Sequence, residues 1–162
     1  MIIRLFGVLV VLVVLIGLAI YVVFGYQERY YADDYFSFID HDGVLESRKW
    51  HNKTFGCTYA IVSIVDAAKT NPPIEWIDSS LWHQTPLLFK EERKAGQCRN
   101  LICECEYDLT PDTYQRLTRA LSEPGSFYYL GWRQPPHDPL YQGSILVYSS
   151  AQKIAAKVRF GD

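Results

Sequence analysis

The chain has no block of positive charge. Its 16 lysines and arginines are outnumbered by 18 aspartates and glutamates, for a net charge of −2. Its most basic stretch, KEERKAGQCR (90–99), mixes two acids into the bases. Nucleic-acid binding draws on a basic stripe that neutralises phosphates, so that partner class is set aside. Low-complexity tracts and internal repeats are also missing, which argues against a disordered chain. No G-x-S-x-G elbow accompanies Ser79, Ser80, Ser149 or Ser150, no H-E-x-x-H pair exists, and no glycine-rich loop opens a predicted helix. The motif-level marks of serine hydrolases, zinc proteases and phosphate-binding loops are therefore lacking, and no cofactor is expected.

Cysteine is scarce but clustered. Cys57 stands alone, and Cys98, Cys103 and Cys105 form C-x4-C-x-C. Zinc sites favour paired C-x-x-C units or histidines at matching offsets, and thioredoxin-like chemistry needs C-x-x-C at a helix start; neither pattern is present. An even count of four in a small exported domain reads instead as two disulfides. Taken as a strand, LICECEY (101–107) puts Leu101, Cys103, Cys105 and Tyr107 on one face and Ile102, Glu104 and Glu106 on the other. Same-face neighbours on one strand lie about 6 to 7 Å apart with nearly parallel Cβ vectors, which disfavours a Cys103–Cys105 bridge. Two connectivities remain: Cys57 pairs with Cys103 or with Cys105, and Cys98 takes the other.

What is abundant is apolar and continuous. LFGVLVVLVVLIGLAIYVVF, Leu5 to Phe24, is twenty residues without a charge. A bilayer core of about 30 Å needs about twenty apolar residues at helical rise, more than a signal peptide's hydrophobic region supplies. GYQERYYADDY (25–35) follows without an Ala-x-Ala cleavage pattern, so residues 1–26 are expected to stay as an anchor contacting the bilayer through residues 5–24. Tyr21, Tyr26, Tyr30 and Tyr31 suit an interfacial aromatic belt. Arg4 before the span, against Arg29 with Glu28, Asp33 and Asp34 after it, gives a cytoplasmic N-terminus and a periplasmic or extracellular bulk.

Residues 27–162 suffice for one domain. YFSFI and VLESRKW flank Asp40-His41-Asp42-Gly43 and read as a hairpin. FGCTYAIVSIVDAAKTNPP reads as a helix, with Cys57, Ile61, Ile64, Val65 and Ala68 on one stripe and Asn71, Pro72 and Pro73 as its stop. Short strands are expected around Glu75–Ile77 and Leu87–Lys90. LTPDTYQRLTRALSEPG predicts a second helix, with Thr110 as N-cap, Pro111 at its first position, Tyr114, Leu117 and Leu121 inward, and Glu123, Pro124 and Gly125 as the stop. SFYYLGWR is a predicted strand, and SILVYSS with KIAAKVRF a terminal hairpin around Ala151 and Gln152. The fold class is α+β: one N-terminal transmembrane helix, then a disulfide-stapled domain with a mostly antiparallel sheet and two helices.

Candidate sites are few. Asp40, Asp42, Gly43 and Glu46 echo an EF-hand loop, but the third acid is missing and Glu46 comes too early, so turn chemistry explains them better. His41, His51, His83 and His137 stand in four different segments. Asn52-Lys53-Thr54 fits the glycosylation acceptor pattern and equally a polar turn. RQPPHDPLYQG (133–143) is stiffened by three prolines and decorated by Trp132, His137 and Tyr141, the residues expected to contact a partner at low entropy cost. Trp76 and Trp82 offer a second aromatic patch, although tryptophans in a domain this size usually belong to the core. The expected function is a binding or regulatory protein of the envelope, either an immunity or inhibitor protein or an accessory subunit of an envelope complex, partnered by another protein. The rivals are an envelope hydrolase with a carboxylate or histidine site, and a small-ligand sensor. Non-reducing peptide mapping of the chain from native membranes should give two linked peptide pairs; four free thiols would remove both bridges.

Overall fold

The computed structural model describes residues 2–49, 57–65, 71–73, 75–87, 102, 105–132 and 143–160. Helix α1 (Ile2–Tyr35) is followed by β1 (His41–Arg48), β2 (Thr58–Ile64), a 3-10 turn (Ser79–Leu81) and β3 (His83–Gln84). Helix α2 (Pro111–Ser122) and the strands β4 (Phe127–Trp132), β5 (Gly143–Ser149) and β6 (Ile154–Phe160) complete the order. The strands form one six-stranded sheet, β1-β2-β6-β5-β4-β3, with every neighbouring pair antiparallel. The fold is α+β.

Both faces of this sheet are covered, and the covers differ. Strand alternation sends Tyr59, Ile61, Ile145, Val147, Ile154, Ala156 and Val158 to one face, where Leu117, Ala120 and Leu121 of α2 pack with Ile102, Cys105 and Leu109. Ala60, Val62, Ile64, Tyr148 and Ala155 face the other way, under Ala32, Phe36 and Ile39. Trp76 and Trp82, with ring centroids 5.1 Å apart, extend that second layer. Trp76 meets Phe36 edge-on at 5.2 Å, so both tryptophans serve the core.

Helix α1 is a single element from the apolar run into this core. Leu9 through Phe24 carry exposed apolar side chains, whereas Ala32, on the same helix, is fully buried. One helix is thus long and apolar enough to cross a membrane.

Several local expectations are overturned. YFSFI does not form a strand: α1 continues to Tyr35, and the amide of Phe36 bonds the Ala32 carbonyl at 2.9 Å while that of Ile39 bonds the Phe36 carbonyl at 2.8 Å. β1 pairs with β2 instead, and Gly43, at φ +139°, sits in a bulge where the register slips. TYAIVSI is a central strand rather than a helix, because Ile61, Val62 and Ile64 are β-branched and the run is buried on both faces. Val65, expected inward, is 54% exposed. Residues 75–77 form a turn closed by the Trp76 amide on the Pro73 carbonyl, Leu87 is not in a strand, and residues 88–90 lie outside the described residues.

The LICECEY strand is also overturned where it is described. The Cys105 amide bonds the Ile102 carbonyl at 2.9 Å, and the amides of Asp108 and Leu109 bond the Cys105 carbonyl at 3.0 and 2.9 Å. A strand needs a neighbouring edge for its backbone, whereas this segment closes its own hydrogen bonds in turns. Three-residue spacing therefore puts Ile102 and Cys105 into the core together, and Tyr107 is 92% exposed.

The α2 expectations hold, with one change. Pro111 opens the helix, Leu117 and Leu121 are buried, Tyr114 is partly buried, and Glu123 to Gly125 end it, with Gly125 at φ +99°. Thr110 has extended N-cap dihedrals but makes no side-chain cap bond. The terminal hairpin forms as expected, with Ser149 opposite Ile154 in its last pair.

Cys57 and Cys105 are disulfide-bonded across 48 residues. Cys98 and Cys103 lie outside the described residues. Both bonded cysteines are fully buried beside α2. The bridge staples the turns after residue 101 to the start of β2. Replacing both with alanine should cost about 2 to 4 kcal/mol, the chain-entropy value for a loop of this length being the upper end. The thermal midpoint of the extracted chain should fall by about 10 °C; an unchanged midpoint would show that the bridge adds nothing.

Candidate functional site at the end of the sheet nearest the apolar helix

One end of the sheet faces the exposed half of α1. The Ser47 hydroxyl donates to the Glu28 carbonyl, and the Lys49 amide donates to the Glu28 carboxylate at 2.7 Å. Glu28 is four residues beyond Phe24, about 6 Å at helical rise. Register carries this level across the sheet. Arg48 lies opposite Tyr59, Thr58 opposite Arg159, and Gly143 opposite both Phe160 and Trp132. The end of β1, the start of β2, the end of β4, the start of β5 and the end of β6 therefore lie at one rim.

On the α2 side of the rim, one carboxylate organises the chain. Asp108, with only 7% of its side chain exposed, accepts from the Arg48 guanidinium at 2.5 Å and from the Cys57 amide at 3.2 Å. Its carbonyl accepts from the Tyr59 hydroxyl at 2.8 Å, and the Arg48 guanidinium lies 5.5 Å from the centre of the Tyr59 ring. Burial holds the Tyr59 phenol above its ordinary range, partly offset by Arg48. Glu46 completes the clamp. Its carboxylate takes the Thr110 amide at 3.1 and 3.2 Å and the Thr110 hydroxyl as well, which puts negative charge at the N-terminus of α2. Glu46 thus has a structural task at the helix start, in keeping with the dismissal of an EF-hand.

On the α1 side, β6 presents cations. Alternation turns Lys157 and Arg159 away from Ile154, Ala156 and Val158 and toward α1. The Lys157 ammonium sits 4.1 Å from the centre of the Tyr35 ring, a cation–π contact. Half-burial, with Arg159 alongside, holds the Lys157 ammonium below the usual lysine range.

Of the residues expected to bind a partner, Trp132 stands at this rim by its backbone. Trp132 is the last residue of β4, paired with Gly143; its side chain, like His137 and Tyr141, lies outside the described residues. Among the described residues, the two histidines have different neighbours. His41 stands 3.8 Å from Asp33, His83 packs on Tyr128 at 5.4 Å, and His51 lies outside the described residues. Among the described residues, no three histidine, cysteine or acidic side chains cluster to hold a metal.

Arg48, Asp108 and Lys157 were missed in the sequence. Only Lys157 left a signal there: in KIAAKVRF it alternates with Ala156 and Val158, which assigns it to the opposite face. Replacing Arg48 with methionine removes the 2.5 Å ion pair to the buried Asp108 carboxylate and should destabilise the chain by about 2 kcal/mol. Arg119→Met, on the exposed side of α2, should stay within about 0.5 kcal/mol in the same denaturation series. Equal effects would remove the clamp's special role.

No protein-family model matches the chain, and neither a curated protein nor a solved structure matches it.

Proposed function

We propose that this chain is a membrane-anchored, extracytoplasmic protein that binds and regulates another protein of the envelope or membrane. Its N-terminus is cytoplasmic and its sheet domain periplasmic or extracellular. An immunity or inhibitor protein, or an accessory subunit of an envelope complex, fits this layout.

The observation that carries the reading is the continuity of α1. The same helix supplies the exposed apolar run and then the buried Ala32, so no flexible linker separates span from domain. A domain so mounted is held at the bilayer surface with its rim within about one helical turn of the lipid. This suits engagement of a partner that is itself at the membrane. The Cys57–Cys105 bridge supports an oxidising compartment, where disulfides persist. The proline-rich connection 133–142 leaves and re-enters the sheet at the rim, which suits it to the contact.

Capture of the full-length chain from its native membrane in mild detergent should bring down one partner in near-stoichiometric amount. His137→Ala with Tyr141→Ala should lose that partner without lowering the thermal midpoint. No reproducible partner would overturn the binding function, and a partner retained by the double variant would move the contact away from this loop. A C-terminal reporter enzyme that matures only after export should be active; an inactive reporter would invert the orientation.

A further inference from the structure

The two edges of the sheet are finished differently. At one edge, β1 carries Asp42, Glu46 and Arg48, slips register at two places and lies against α1, to which Ser47 donates its hydroxyl. Charge, bulges and a covering element are the usual means of keeping a strand edge from pairing with another chain. Toward the other edge, β4 reads FYYLGW, without a charge or a proline, and pairs with β5 in unbroken register. β3 covers only its first two residues, with Gln84 opposite Phe127 and His83 opposite Tyr128. That cover stops because the chain before His83 winds into the 3-10 turn Ser79–Leu81, capped by the Asp78 carboxylate on the Ser80 amide at 2.9 Å.

Alternation decides which backbone groups are left. The Thr85 amide bonds the Ser126 carbonyl at 3.0 Å, so Ser126 turns its backbone toward β3. In an antiparallel ladder the amide and carbonyl of one residue point to the same side and those of the next residue to the other. Tyr128, Leu130 and Trp132 therefore point outward, whereas Phe127, Tyr129 and Gly131 point to β5, opposite Tyr148, Leu146 and Ser144. Among the described residues, nothing pairs with the outward amide and carbonyl of Leu130. Its side chain packs on the core beneath α2, so the strand is held firmly while its edge is open.

Only another extended backbone matches the donors and acceptors of such an edge, and direction selects whose it is. β4 runs toward the rim, where Trp132 lies opposite Gly143, so a strand that continues the antiparallel sheet runs away from the rim. Symmetry excludes a second copy. Pairing β4 with itself needs a two-fold axis across the strands, which sends the two rims and their apolar helices in opposite directions. Two chains held in one bilayer by α1 cannot meet in that way.

We propose that the open edge of β4 at Leu130 and Trp132 takes up, as a further strand, the extended segment by which a membrane-embedded partner leaves the bilayer after a transmembrane helix. The proposal rests on the readings of α1 as a span and of the chain as a binding protein. A segment of that kind starts at the membrane and runs outward, so it meets β4 antiparallel. Its main chain supplies the bonds, and its alternate apolar side chains extend the layer that Tyr128 and Leu130 already form on the α2 side.

Amide exchange in the full-length chain in mild detergent is the first test. The Leu130 amide should exchange at least about tenfold faster than the Tyr129 amide, which faces β5, and should slow by at least about tenfold in the complex captured from native membranes. Equal protection of the two amides in the chain alone, or an unchanged Leu130 rate in the complex, would overturn the proposal. A benzoylphenylalanine introduced at Tyr129 and photolysed in native membranes should join the partner within about ten residues of the outer end of its transmembrane helix, about 33 Å of extended chain. Adducts between two copies of this chain, or to a protein segment remote from any span, would also overturn it. The absence of any reproducible partner overturns the binding reading and this inference with it, whereas a captured partner that leaves the Leu130 amide fast overturns this inference alone.

Discussion

The burial of the last turns of α1 against the sheet is the contact on which the rest of the structure depends. Ala32 admits the helix close to the sheet, and Phe36, fully buried just past its end, fixes the angle at which the chain turns back into β1. A helix that merely crossed a membrane would leave Ala60, Val62, Ile64 and Ala155 uncovered, a run of apolar surface on a sheet face in water. The continuation of the apolar helix covers it, so one element serves both. Burial of Phe36, Val62 and Ile64 is worth about 1.5 to 3 kcal/mol each, so the helix cannot leave the sheet without exposing a layer of the core. Tyr35 adds to this by receiving Lys157 on its ring and the Trp76 indole on its hydroxyl at 3.4 Å.

The opposite face is closed by a different device. Turns around Cys105 have no strand edge to pair with, so their attachment rests on side chains: the disulfide to Cys57, the Arg48–Asp108 ion pair and the Glu46–Thr110 bonds. All three anchor points lie on β1 or at the start of β2. The clamp therefore ties α2 to the edge of the sheet that α1 covers on its other face. The far edge is held by a polar knot in which the Ser126 hydroxyl bonds that of Ser149 at 2.8 Å and the Ser126 amide bonds the Thr85 hydroxyl at 3.0 Å. Each of these groups is buried and satisfied, as buried hydroxyls must be.

What was legible in the sequence follows from which signals are local. α2 was readable because its start and stop are written in adjacent residues, Thr110-Pro111 and Glu123-Pro124-Gly125. The terminal hairpin was readable because SILVYSS and KIAAKVRF are β-rich and separated by a short polar turn. TYAIVSI was not, since a run buried on both faces has no alternation and its residues also fit a helical stripe; β-branching was the better guide. YFSFI failed for a non-local reason, because Phe36 looks like a strand residue until α1 is known to continue beneath the sheet. Among the site residues, the Cys57–Cys105 pairing was one of two allowed connectivities, yet the strand geometry invoked for it was wrong. The clamp residues Arg48 and Asp108, sixty positions apart, gave no local sign at all.

These two attachments have different consequences if α1 crosses a membrane. On the proposed reading, the α2 face is sealed within the domain, so it would hold its shape whatever the span does. The α1 face shares its core with the span, so a tilt of that helix in the bilayer would be felt first by Tyr31, Tyr35 and Phe36 and through them by β2 and β6.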